Sequence, residues 1–149
     1  MNENRITIRP AQESDVPAIL EIMETANMHH VPSPEMEELN WKCFFVAMCD
    51  GKIVGAAGFK VLNPGEGKTT LMTVHPDYRR LGIGMMLQKK RMLALKKLGI
   101  KTLYTNADIP ETIKWYKKNF GYKEIGKLKK LHSFGDPRID EWTTLKTDL

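Results

Sequence analysis

The chain has only two cysteines in 149 residues, Cys43 and Cys49. That is too few for the disulfide framework of a small secreted domain. Both lie in "CFFVAMC", among large apolar residues. A spacing of six sets them on one face of a strand, where buried thiols act as small hydrophobes. Four histidines, His29, His30, His75 and His132, show no ligand spacing relative to these cysteines, so no metal site is expected. No apolar run approaches the roughly 20 residues of a membrane span, and the opening "MNENRITIRP" is polar, unlike a secretory leader. A reducing cytoplasm and no membrane partner are the expectations that follow. Low-complexity tracts and internal repeats are missing too. The net charge is a mild +5, spread along the chain apart from "KKR" at 89–91 and "KLKK" at 127–130. Such runs are expected as solvated faces. Without interleaved aromatic and basic residues, a nucleic-acid partner is not expected.

The length suits one domain, residues 1–149, with a single sizeable core. "RITIRPA" alternates, placing Ile6 and Ile8 on the core face of a first strand. Ser14 stands as N-cap before "DVPAILEIMETA", whose Val16, Ile19, Leu20 and Met23 recur at helical spacing. The irregular "NMHHVPSPEMEELN" (27–40) reads as loop plus a short helix beginning near Ser33-Pro34. Two apolar runs flanking Asp50-Gly51 predict a tight hairpin. "NPGEG" predicts another turn before the strand "KTTLMTV". Further on, "MMLQKKRMLALKKLG" reads as a helix after Gly84, with apolar residues at 86, 87, 93, 94 and 98 and Gly99 as its C-terminal glycine. "KTLYTN" reads as a strand, and Asp108 with Glu111 as a capping box. The helix they open carries Ile113, Tyr116 and Phe120 on one face and stops at Gly121. "YKEIGKL" and "DEWTTLKTDL" close the chain as strands.

Between the strand at 68–74 and the following helix runs "TVHPDYRRLGIGMML". A strand that turns straight into a helix leaves the first helical N–H groups unpaired, and with the helix dipole they form an anion site. Glycines 82 and 84 let a bulky anion approach the backbone, and Arg79 and Arg80 add forked donors for phosphate oxygens. No Gly-Lys-Ser/Thr follows, so this is not a Walker loop. The third glycine of a dinucleotide fingerprint is missing as well.

The spacing Arg79-x-x-Gly82-x-Gly84, preceded by Val74-His75-Pro76, resembles the acyl-CoA-binding motif of the GNAT family of N-acetyltransferases. That signature is Gln/Arg-x-x-Gly-x-Gly/Ala, between the family's fourth strand and third helix. The order of elements is similar to the GNAT fold over nearly the whole chain, and "WYKKNFGYKEIG" (115–126) looks like the family's "LYEKLGF" segment. The resemblance implies an α/β (α+β) fold, a mixed, largely antiparallel sheet of roughly six to seven strands flanked by about four helices. It implies an enzyme that moves an acetyl group from acetyl-CoA, its cosubstrate, to a primary amine of a small molecule or peptide. Transfer is by direct attack in a ternary complex, without metal.

On that resemblance the coenzyme's pyrophosphate sits on the amides of Arg80, Leu81, Gly82, Ile83 and Gly84, with Arg79 adding charge and Met85 close behind. The pantetheine arm lies along Met72, Thr73 and Val74 like an added strand. Tyr116 matches the tyrosine that protonates the departing thiolate. The family's usual asparagine position is occupied by Ile109, and Asn106, ten residues before Tyr116, is the candidate for the same cofactor contact. The general base stays open: "KTTLMTV" has no acid, leaving Glu66, His29, His30, Glu35, Glu37, Glu38, Asp108 or a chain of waters. The acceptor is expected between residues 27–41 and 131–141. His132, Phe134, Asp136, Asp140, Glu141, Trp41 and Trp142 mix acids with aromatics there, as would suit a cationic amine. A homodimer is compatible with the family. The alternative to catalysis is an acyl-CoA-binding sensor on the same fold.

Overall fold

The computed structural model describes residues 5–28 and 39–149. Its strands are β1 (Ile6–Pro10), β2 (Phe44–Cys49), β3 (Lys52–Asn63), β4 (Glu66–Val74), β5 (Thr102–Ala107), β6 (Lys123–Lys129) and β7 (Glu141–Asp148). Its helices are α1 (Val16–Thr25), α2 (Ile83–Lys97) and α3 (Pro110–Phe120). Two tight turns lay out the first half of the sheet. Asp50 and Gly51 both take positive φ, 50° and 77°, the geometry that joins two twisted antiparallel strands through a two-residue loop. Pro64-Gly65 then folds β4 back on β3. The sheet runs β1-β2-β3-β4-β5-β7-β6, antiparallel throughout except for β4 and β5, which are parallel and joined through α2. This is the mixed, largely antiparallel α/β architecture that the sequence predicts. The helix expected near Ser33-Pro34 falls outside the described residues.

The sheet is covered on both faces. α1 lays Ile19 and Met23 against Phe44, Val46, Ala56 and Leu71. On the opposite face, α2 and α3 cover Ala47, Val54, Ala57, Leu103 and Leu145. Leu87 and Leu95 of α2 are fully buried there, each contributing about 2 kcal/mol by leaving water.

Four local expectations differ from the structure. Ser14 does not cap α1. Residues Glu13–Asp15 form a 3-10 turn, and the Asp15 carboxylate accepts from the Gln12 amide at 2.7 Å and from Arg9 of β1 at 2.8 and 3.0 Å. α2 begins at Ile83, before Gly84, and its buried stripe is Ile83, Leu87, Gln88, Arg91 and Leu95. Leu93 and Leu98, expected inside, are 49% and 61% exposed, while Arg91, expected on a solvated face, is 1% exposed. Cys43 sits in the 3-10 turn Trp41–Cys43, half-buried, rather than on the strand that carries buried Cys49. Finally, Ile109 occupies the N-cap of α3 with Pro110 at the first helical position, and no side chain caps this helix.

The hydrogen bond from Arg9 holds the Asp15 carboxyl below the usual carboxylate range, against the opposing effect of burial. A lowered folded-state pKa means that its stabilisation is present above the ordinary carboxylate range and fades as pH falls through the folded value. Asp15→Asn is therefore expected to cost about 1.5 kcal/mol at pH 7. In thermal melts the gap between wild type and variant should narrow as pH is lowered below 4.

Candidate active site

β4 and β5 pair only over Glu66–Lys68 and Thr102–Tyr104, and then part. Beyond that point β4 keeps its ladder to β3, through Met72–Ala57, Thr73–Ala56 and Val74–Gly55, but among the described residues no strand pairs with its other side. A bulge marks the same stretch: the register between Ala57–Met72 and Phe59–Thr69 gives β4 one residue too many. Gly58 stands opposite it, where a β-carbon would come within 2.7 Å of the Phe44 ring and closer still to Thr70. Thr73 donates to the Ile22 carbonyl of α1 at 3.4 Å and ties the far end of β4 down.

The gap opens as a cleft of about 1500 Å³. One wall is β4 from Thr69 to Val74, and the other is the end of β5 with Trp115 and Tyr116 of α3. At its end the chain runs through a 3-10 turn (Pro76–Tyr78), passes Arg80 at φ +68°, turns at Gly82 and enters α2. Left-handed backbone at an arginine costs on the order of 1 kcal/mol and is held here by the turn that aims the helix start. The first intrahelical bond recorded at this end is Met86 to the Gly82 carbonyl, and no side chain caps the helix. The amides of Ile83, Gly84 and Met85 thus face the cleft end as unpaired donors. Arg79 and Arg80 are exposed beside them. Gly84 packs close to Met72 and Trp115.

Of the residues expected from sequence to contact the cofactor or the reaction, Met72, Thr73, Val74, Arg79, Arg80, Gly82, Ile83, Gly84, Met85, Asn106 and Tyr116 all line this cleft. Leu81 does not; its side chain is 40% exposed. Asn106 is held from β7, its side-chain Oδ1 accepting from the Thr144 hydroxyl at 2.6 Å. Tyr116 is 6% exposed and sits edge-on between Trp115 (4.9 Å) and Tyr122 (5.1 Å).

Two candidate bases are already engaged. Glu66 lies at the other end of β4, roughly 25 Å from Val74 by strand rise. It accepts from Tyr104 at 3.0 Å and does not line the cleft. Asp108 does line it, but accepts from the amides of Ile109 and Asp136, each at 2.9 Å, and from Lys130 at 2.9 Å. Lys130 also donates to the carbonyls of Phe134 and Asp136 and lies 4.6 Å from the Trp142 ring centre. This buried clasp folds the β6–β7 loop over the cleft. Gly135, at φ +65°, sits where a β-carbon would overlap Asp108. Asp136 is paired with Arg138 at 2.8 Å, which brings its pKa down to about 2. Its charge is therefore spent within the loop. His29, His30, Glu35, Glu37 and Glu38 lie outside the described residues.

Sequence reasoning missed two further members of the site's surroundings. Arg91 and Gln88, on the inner face of α2, contact the Tyr116 and Tyr122 hydroxyls from below. No local signal announces them, because "QKKR" reads as solvated helix.

A sheet that opens between two parallel strands above an uncapped helix start is the framework of a domain that takes an extended, anion-bearing ligand. Comparison with known proteins narrows this. A family profile described as "Acetyltransferase (GNAT) domain" matches residues 40–124. An N-alpha-acetyltransferase of Sulfurisphaera tokodaii is 30% identical over 147 residues, covering 87% of each chain. An amino-acid acetyltransferase of Pasteurella multocida is 28% identical over 131 residues, which are 85% of this chain but 29% of that protein, so the chain spans under a third of that relative. The structure of N-acetylglutamate synthase from Neisseria gonorrhoeae, complexed with coenzyme A and N-acetyl-glutamate, shares the fold. Its TM-score is 0.76 at 19% identity, covering 97% of this chain and 35% of that one. The chain belongs to the GNAT family of acetyltransferases, a family of acyl-transferring enzymes.

The loop clasp can be tested directly. Lys130→Met leaves the Asp108 carboxylate buried without its cation and should cost about 3 kcal/mol. Melting temperature and the rate of proteolytic cutting within 131–140 are the measurements. Adding Asp108→Asn to the variant should recover part of the loss.

Proposed function

We propose that this protein transfers the acetyl group of acetyl-CoA to a primary amine of a small molecule or peptide, by direct attack within a ternary complex. One observation carries the reading: the unpaired stretch of β4, the uncapped start of α2 and Tyr116 all open onto one cleft. Each fits a different part of the cosubstrate. The diphosphate matches the amides from Arg80 to Gly84, with Met85 behind them and charge from Arg79 and Arg80. The amide-bearing pantetheine arm matches the free edge at Met72–Val74, where it satisfies backbone groups that no neighbouring strand reaches. Asn106, at the end of β5, faces the same arm from the opposite wall.

Acetyl-CoA supplies an acyl group activated as a thioester. The chain's contribution is placement and proton transfer. A backbone N–H near the end of β4 polarises the carbonyl. The amine nitrogen forms the new C–N bond as the C–S bond breaks, and the Tyr116 hydroxyl gives its proton to the leaving sulfur. The acceptor amine must lose a proton to react. Since Asp108 is held in the loop clasp, water in the cleft is the simplest route for it. The names of the relatives, an N-alpha-acetyltransferase and an amino-acid acetyltransferase, support an amine acceptor.

Calorimetric titration with acetyl-CoA should saturate with one site, and absence of heat or saturation would remove the reading. Replacing Arg79 and Arg80 with Glu should raise Kd about tenfold or more. Tyr116→Phe should leave Kd within about twofold while kcat falls roughly a hundredfold, in the range lost with a general acid. Unchanged turnover would strip Tyr116 of its role. Binding without thiol release across a broad amine panel would favour the sensor.

A further inference from the structure

Beneath the cleft lies a buried cation that the proposed chemistry has not used. Arg91 is 1% exposed, and its recorded hydrogen bonds run to neutral acceptors: the carbonyls of Gly58 and Leu71, each at 3.0 Å, the Gln88 carboxamide oxygen, and the Tyr116 hydroxyl at 3.4 Å. No carboxylate pairs with it among the described residues, and its Nε has no partner. A buried guanidinium normally finds an acid, since taking an ion out of water is costly. This one is placed instead against the β3–β4 bulge and the phenol.

We infer that Arg91 is a positioning residue for Tyr116: it fixes which way the phenol's proton points and holds a positive charge beside the oxygen that gives the proton up. The inference rests on the proposed acid role of Tyr116. Arginine has donors and no acceptor, so the Tyr116 oxygen must accept from it. The hydroxyl hydrogen is thereby turned away from Arg91, toward the cleft that Tyr116 lines. Gln88 completes the orientation. Its oxygen accepts from Arg91, so its amide nitrogen is the group that donates to Tyr122, at 3.1 Å. When the Tyr116 proton passes to the sulfur and the C–S bond breaks, the phenolate left behind faces a cation that no acid has neutralised. The same guanidinium grips Gly58 and Leu71 at the bulge, so the acid and the displaced stretch of β4 are referenced to one rigid group.

A double-mutant cycle with an independent spectroscopic readout tests this. Arg91→Met removes the charge with little change of volume, and Arg91→Lys keeps the charge without the fork. Arg91→Met should lower kcat about tenfold, a part of what a general acid contributes, with the calorimetric Kd for coenzyme A unchanged within about twofold. Arg91→Lys should recover part of the loss. Combined with Tyr116→Phe, Arg91→Met should lower kcat by no more than a further twofold, because both changes remove one function. In protein labelled with 3-fluorotyrosine and studied without any ligand, both Arg91 variants should move the fluorine resonance of Tyr116, assigned through Tyr116→Phe. If Arg91→Met does not fold, Arg91→Lys carries the same two measurements. Losses that multiply in full, or an unmoved Tyr116 resonance, would overturn the role of Arg91 alone. Full activity in Tyr116→Phe would overturn the acid role beneath it.

Discussion

The parting of β4 from β5 after three paired residues is the constraint on which the rest of the structure depends. A continuous sheet would bury both strand edges in each other and leave no cleft. Here the bulge at Thr70–Leu71 twists β4 away, and the chain leaving β4 has few residues in which to reach the start of α2. Ile83 fixes that start by packing against Gly55, where even a β-carbon would have to displace it. The helix N-terminus is thus set at the open end of the gap, with its first amides aimed along it. Unpaired strand edge and unpaired helix amides are both costly when sheltered from water. A ligand rich in amide and phosphate groups relieves both costs together.

The bulge leaves carbonyls of β3 and β4 facing α2, which an apolar side chain could not satisfy. Arg91 does: its Nη1 donates to both the Gly58 and the Leu71 carbonyl. The cost is a buried charge without a paired acid. Gln88 and both tyrosines are tied into the same network, while the Arg91 Nε stays without a partner. Burial raises the Tyr122 phenol well above its ordinary range, so it stays a neutral partner across working pH.

Much of this was legible in the sequence. The Asp50-Gly51 hairpin, the Pro64-Gly65 turn and the glycines that end α2 and α3 at 99 and 121 are local signals, and each falls where backbone geometry demands it. The Arg-x-x-Gly-x-Gly spacing located the cleft end for the same reason: a helix start is a local event. What escaped was decided by distant partners. Asp108 has the sequence of a cap, but Lys130 and the Asp136 amide, more than twenty residues away, both claim its Oδ2, leaving only Oδ1 for the Ile109 amide. Arg91 sits in a run of basic residues, and only the bulge on β4 gives it a reason to turn inward. The splay itself is non-local, because nothing within β4 or β5 states how far they pair.

Two acids near the β6–β7 loop, Asp136 and Asp108, are engaged within the protein. Asp136 beside aromatics suggests attraction for a cationic acceptor, yet its charge is spent on Arg138, and that of Asp108 on Lys130. These carboxylates shape the loop and hold it over the cleft; they do not offer a free negative charge to a ligand. Among the described residues, the wall near α1 is mostly apolar, with Met23, Ala26, Met28, Leu39 and Phe44 beside Asn40. An amine must shed its proton before it attacks, and a carboxylate placed to bind it would stabilise the charged form that cannot react. Among the described residues this wall carries no carboxylate, so it does not add to that penalty.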